Sequence, residues 1–126
     1  MKTLHTVVYA VDLARVAAFY ESVLGWPRVE NTQSFVLLDG GACELSVVQV
    51  PPDVAAGIVL AEPPAVREET PIKLSFAVTD FEAARQAADA GGGRLKPTDT
   101  AWAWRGCLHL DGVDPEGNVF QLRRPC

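Results

Sequence analysis

Little in this sequence supports a scaffold held by covalent cross-links. The three cysteines, Cys43, Cys107 and Cys126, are an odd number and form no close pair. Paired Cys ligands at short spacing, which a Cys-based zinc site requires, are missing too. A reducing cytoplasm is the expected compartment, and Cys43 and Cys107 read as small hydrophobes in strands. No apolar run approaches the ~20 residues of a membrane span. The N-terminus carries only Lys2 as a positive charge before Asp12 interrupts the apolar stretch, so no signal peptide is expected. Basic residues are outnumbered, 11 Lys and Arg against 16 Asp and Glu, a net charge of −5. Nucleic acid is therefore not the expected partner, because phosphate binding needs clustered cations. The balance suits a cationic or neutral small molecule.

What is present is a globular composition. The chain has 126 residues, 48% hydrophobic and 21% charged, too apolar for disorder and long enough for one core. Leu4 to Val11 alternates and is rich in Val and Tyr, as a strand would be. Asp12 stands as a helix N-cap before Leu13, Val16, Ala17, Tyr20 and Leu24, and Gly25 as the C-cap. Three strands are predicted next: Trp26 to Glu30, Ser34 to Leu38, and Ala42 to Val50 after an Asp39-Gly40 turn. Residues 51–71 carry five prolines around an apolar island, Ile58 to Ala61, and read as a connector with some packed content.

The pattern then restarts. Ile72 to Val78 reads as a strand, Asp80 as an N-cap, and Phe81, Ala84, Ala87 and Ala88 as a helix face closed by Gly91 to Gly93. Strands are predicted from Gly93 to Lys96, from Trp102 to Leu110 and from Val119 to Leu122, with a proline turn at Asp114 to Gly117. His5 precedes Asp12 by seven residues, and Lys73 precedes Asp80 by seven. The order of elements in the two halves points to a repeated βαβββ unit, 1–50 and 72–126.

Strand alternation then sorts the polar residues. Each helix must cover one face of its sheet, which leaves the other face open. In the first half the open face carries His5, Tyr9 and Glu44; in the second it carries Lys73, Ser75 and Gln121. Two open faces brought together would make a lined cleft, the setting of a small-molecule site. Trp102 and Trp104, two apart, should share a face and could form an aromatic wall or packing surface. Arg105 should point to the other side, Trp26 reads as structural, and His109 as a surface or edge-strand residue. The Asp114 and Glu116 acids have turn spacing, not that of a calcium loop.

The stretches LHTVVYAVDLARVAAFY, ACELSVV, KLSFAVTDFEAA and DPEGNVFQL together resemble the vicinal oxygen chelate superfamily, which contains glyoxalase I, bleomycin resistance proteins, fosfomycin resistance enzymes and extradiol dioxygenases. The resemblance covers nearly the whole chain. It implies an α+β fold of two βαβββ modules whose curved mixed sheets enclose a cleft, commonly in a homodimer. It also implies metal-ligand positions at His5, Glu44, Lys73 and Gln121. His5 and Glu44 match; Gln121 stands where Glu is usual, and Lys73 where His or Gln is usual. An ammonium group offers three donors and no acceptor, and its charge repels a cation. The expectation is therefore no metal and no cofactor, with Lys73 and Glu44 forming an ion pair where the enzymes hold a metal. The leading functional reading is a metal-free protein that binds a small organic molecule through His5, Tyr9, Glu44, Lys73, Trp102, Trp104 and Gln121, in the manner of antibiotic-sequestering members. The alternatives are a metal-dependent glyoxalase-like lyase or dioxygenase acting on a chelating substrate, and a metal-independent enzyme using Glu44 or Lys73 for proton transfer.

Overall fold

The structure, a computed structural model, describes residues 1–126. Elements run β1 (Leu4–Ala10), α1 (Leu13–Leu24), β2 (Arg28–Asn31), β3 (Phe35–Asp39), β4 (Cys43–Gln49), α2 (Pro52–Ala55), β5 (Leu74–Ala77), α3 (Phe81–Ala90), β6 (Arg94–Leu95), β7 (Trp102–Trp104), β8 (Cys107–Val113) and β9 (Val119–Pro125). The first sheet has the order β1-β4-β3-β2 and the second β5-β9-β8-β6, with β7 also on β8. Each sheet is mixed, because β1 runs parallel to β4 and β5 parallel to β9, while the other pairs are antiparallel. This is an α+β architecture of two curved sheets. No helix is long and apolar enough to cross a membrane.

Local chemistry sets the helix ends. Asp12 accepts a hydrogen bond from the backbone N–H of Arg15, and Gly25 takes the left-handed conformation at φ 69°. Asp80 accepts from the N–H of Glu82 at the start of α3. The covered faces follow from alternation: Ala10, Leu38, Leu45 and Val47 are buried in the first sheet, and Leu110, Phe120 and Leu122 in the second.

These two faces share one core. Phe19 and Tyr20 of α1 both meet the Phe120 ring of β9 edge-on, at 5.7 and 5.9 Å between centroids. Trp26 meets Phe76 of β5 edge-on at 5.6 Å, so its structural role spans the two sheets. The Asp114 turn fastens the same seam. Asp114 is fully buried, and its carboxylate accepts from Tyr20 Oη (2.7 Å), Asn118 Nδ2 (2.8 Å) and the backbone N–H groups of Glu116 and Asn118. Glu116, also buried, accepts from the backbone N–H groups of Val11 (2.9 Å) and Asp12 (2.8 Å). The turn reading is right for these acids, and they also join the last strand to the start of α1. Arg67 of the connector donates to the Glu116 carbonyl oxygen, whereas Val59 of the apolar island stands in solvent.

Burial, with the Asp114 carboxylate beside it, holds the Tyr20 phenol protonated well above its ordinary range. The unfolded chain ionises this group near pH ~10 and the folded chain does not. The stabilisation is therefore whole below that pH and is lost as pH rises beyond it. Urea unfolding at pH about 8 and about 11 is expected to show a falling midpoint, with a shallower fall in Tyr20→Phe. An equal fall in both chains would refute this assignment.

The segment Trp102 to Leu110 departs from the single predicted strand. It folds back as a hairpin, β7 onto β8, with Trp104 opposite Cys107. The two loop residues both have positive φ, Arg105 at 50° and Gly106 at 74°, the backbone a two-residue hairpin loop demands. Arg105 therefore does not point away from the tryptophans; its guanidinium lies 5.5 Å from the Trp104 ring centre.

Candidate functional site

The open faces carry two polar clusters, one on each sheet. On the first sheet, His5 lies directly across from Glu44 in the parallel β1–β4 ladder, and Ser46 lies two residues along β4 on the same face. The His5 ring bridges the other two. Its Nδ1 is 3.0 Å from Glu44 Oε1, and its Nε2 is 2.6 Å from Ser46 Oγ. Since a carboxylate only accepts, Nδ1 carries the hydrogen, and in the neutral ring Nε2 accepts from the Ser46 hydroxyl. Tyr9 shares this face and is 65% exposed. Between the edge strands β1 and β5 runs a groove of about 470 Å³, lined by Val7, Tyr9, Arg67, Ile72 and Phe120 among others.

On the second sheet Gln121 is the hub. Its Oε1 accepts from Ser75 Oγ at 2.8 Å and faces His109 Nδ1 at 2.9 Å, while its Nε2 lies 3.4 Å from Asp111 Oδ1. The other nitrogen of His109 faces the Trp104 carbonyl oxygen at 3.0 Å. Lys73, just before β5, donates to both Asp111 carboxylate oxygens, at 3.1 and 3.2 Å. The aromatic residues cover this row. Trp102 stacks on the His109 ring at 5.6 Å and 18°, Trp104 leans on it at 5.6 Å, and the Lys73 ammonium lies 5.6 Å from the Trp102 ring centre.

The predicted residues therefore fall into two sets. His5, Tyr9 and Glu44 share the first face; Lys73, Trp102, Trp104 and Gln121 share the second. No hydrogen bond, ion pair or ring contact joins the sets. The expected Lys73–Glu44 pair is not formed. Each ion is taken within its own sheet, Glu44 by His5 and Lys73 by Asp111, because those partners are cross-strand or same-face neighbours. His109 is corrected as well. It is 4% exposed, on a strand flanked on both sides, at the centre of the second cluster. Alternation held the signal: Leu108 and Leu110 face the core, so His109 and Asp111 must share the open face. Ser46 and Asp111 also had no part in the sequence-based site.

The donor set does not fit a divalent cation. Lys73 brings an ammonium, the Gln121 carbonyl oxygen already has Ser75 and His109 upon it, and His5 and Glu44 bind one another. Nowhere in the chain do three or more His, Cys, Asp or Glu side chains gather as ligands.

A family profile described as a glyoxalase-like domain matches residues 5–123. The chain belongs to the glyoxalase-like family. Solved structures agree on the fold. A glyoxalase/bleomycin resistance protein from Albidiferax ferrireducens superposes with a TM-score of 0.66 at 22% identity, covering 97% of each chain. A glyoxalase/bleomycin resistance protein/dioxygenase family enzyme from Burkholderia phytofirmans gives 0.68 at 19% identity, again over 97% of both. The fosfomycin resistance protein FosX from Mesorhizobium loti gives 0.62 at 14% identity, over 100% of this chain and 92% of that one. Curated protein sequences give no match.

Proposed function

We propose that this glyoxalase-like chain binds a small, planar organic molecule without a metal, in the manner of sequestering members of the family. The observation that carries the reading is the aromatic wall. Trp102 and Trp104 are 42% and 61% exposed, yet both lean on a buried histidine, and Trp102 stands beside the Lys73–Asp111 pair. Large aromatic surface kept rigid and open next to charge is costly unless something stacks on it. The second observation in favour is that Val7, Tyr9 and Ile72 are exposed on or beside the open faces. A homodimer that sets the first face of one copy against the second face of the other covers them and closes the cleft.

A thermal-shift and tryptophan-fluorescence screen of cationic and aromatic compounds tests this. A ligand at about 100 times its Kd stabilises by about 2.7 kcal/mol, roughly 10 °C for a chain of this size. It should quench the tryptophans, and Trp102→Ala should weaken it at least about tenfold. Chelator should leave both signals unchanged, and Lys73→His with Gln121→Glu should gain affinity for zinc or nickel. Near-stoichiometric divalent metal retained by the wild-type chain through gel filtration would count against the reading.

A further inference from the structure

The first cluster has a chemistry that ligand binding does not use. We propose that Ser46 is a nucleophile towards activated acyl or phosphoryl groups, with His5 as its general base and Glu44 as the group that orients the base. A serine hydroxyl is unreactive by itself. It becomes a nucleophile when a base stands within hydrogen-bond reach and a third group fixes that base in the right tautomer. Both conditions are met on one sheet face. Ser46 Oγ is 2.6 Å from His5 Nε2, and His5 Nδ1 is 3.0 Å from the Glu44 carboxylate. The β1–β4 ladder holds the three Cα atoms in register, so the arrangement rests on strands and not on a loop. Helix α1 covers the opposite face, where Leu45 and Val47 are buried on either side of Ser46 in sequence. Ser46 itself is 7% exposed, and the His5 side chain 44%. A reagent therefore approaches from within the cleft, past the exposed edge of the His5 ring.

The step is a displacement. As the Oγ–P bond forms on a fluorophosphonate, the Ser46 proton passes to His5 Nε2. The P–F bond breaks, fluoride leaves with the bonding pair, and His5 returns its proton to solvent. The surroundings also limit the substrate class. Strand β4 is paired on both sides, to β1 and β3, so its backbone N–H groups are engaged and no backbone oxyanion pocket adjoins Ser46. Good leaving groups should react, and plain esters and amides should not.

Labelling with a fluorophosphonate, located by peptide mass spectrometry, tests this. One adduct is expected on Ser46 of the folded chain, and none on that peptide in Ser46→Ala or in chain held in urea. His5→Asn should slow labelling at least about 100-fold, and Glu44→Gln about tenfold. Absence of label in the folded chain would overturn the proposal, as would an adduct on Tyr9 instead, or labelling that persists in urea. So would an unchanged rate in a His5→Asn chain that keeps its native circular dichroism. The inference does not rest on the ligand reading: Ser46→Ala should leave tryptophan quenching by a bound compound intact, and the two can fail separately.

Discussion

Asp114→Ala is expected to lower the free energy of unfolding by about 4 kcal/mol, measured by urea titration. The reasoning is a count of donors. The carboxylate satisfies the Tyr20 hydroxyl, the Asn118 side-chain amide and two backbone N–H groups, inside a region closed to solvent. Each donor left without an acceptor in such a place costs about 1–3 kcal/mol. Water admitted to the space vacated by the side chain recovers part of this, which sets the figure at the low end of the simple sum. Against a typical total of about 5–15 kcal/mol the loss is severe. Tyr20→Phe provides the contrast. It removes one donor and orphans nothing, since Asp114 Oδ2 retains Asn118, so about 1 kcal/mol is expected. An Asp114→Ala chain no less stable than Tyr20→Phe would show that the turn is not the clasp described here.

His109→Ala should cost about 3 kcal/mol and also disable the proposed ligand face. The ring supports Trp102 and Trp104 from behind and reaches both Gln121 and the Trp104 carbonyl. Ring pairs of this kind contribute about 0.5–1.5 kcal/mol each, and the one hydrogen bond a neutral ring can donate to these two oxygens about 1 kcal/mol. Strand β7 has three residues and pairs with β8 alone, so little else fixes it. Tryptophan emission should shift to the red as the wall loosens, and compounds found in the screen should lose at least about tenfold in affinity. His109→Phe fills the space without the polar contacts and should fall between. If His109→Ala bound such a compound as tightly as the wild-type chain, the wall would not be the site.

Helices α1 and α3 and the covered faces were legible because their signals are local; α2 lay inside the stretch read as connector. Asp12 and Gly25 bracket α1, and alternation in β1 and β4 separates Leu45 and Val47 from Glu44. The β7–β8 hairpin was hidden because Trp-Ala-Trp and Cys-Leu-His-Leu have continuous strand composition, and Arg-Gly is not the usual dipeptide for a two-residue loop. His109 was readable from its leucine neighbours, but only after β8 is known to be an interior strand. The partners of Lys73 and Glu44 were not readable at all. Both lie on open faces, and which carboxylate meets which cation depends on the distance between two sheets, a quantity absent from strand periodicity. Lys73 found Asp111 two strands away in its own sheet.

The placement of Glu116 has a consequence for how the chain is wired. Its carboxylate grips the backbone at Val11 and Asp12, more than a hundred positions upstream, while Phe19 and Tyr20 lend their rings to the far half. Neither half owns a complete interior. The peptide thread near Gly57, by contrast, lies at the surface and carries none of that load. Its continuity there is a convenience of synthesis, and the halves would remain companions if it were cut or rerouted.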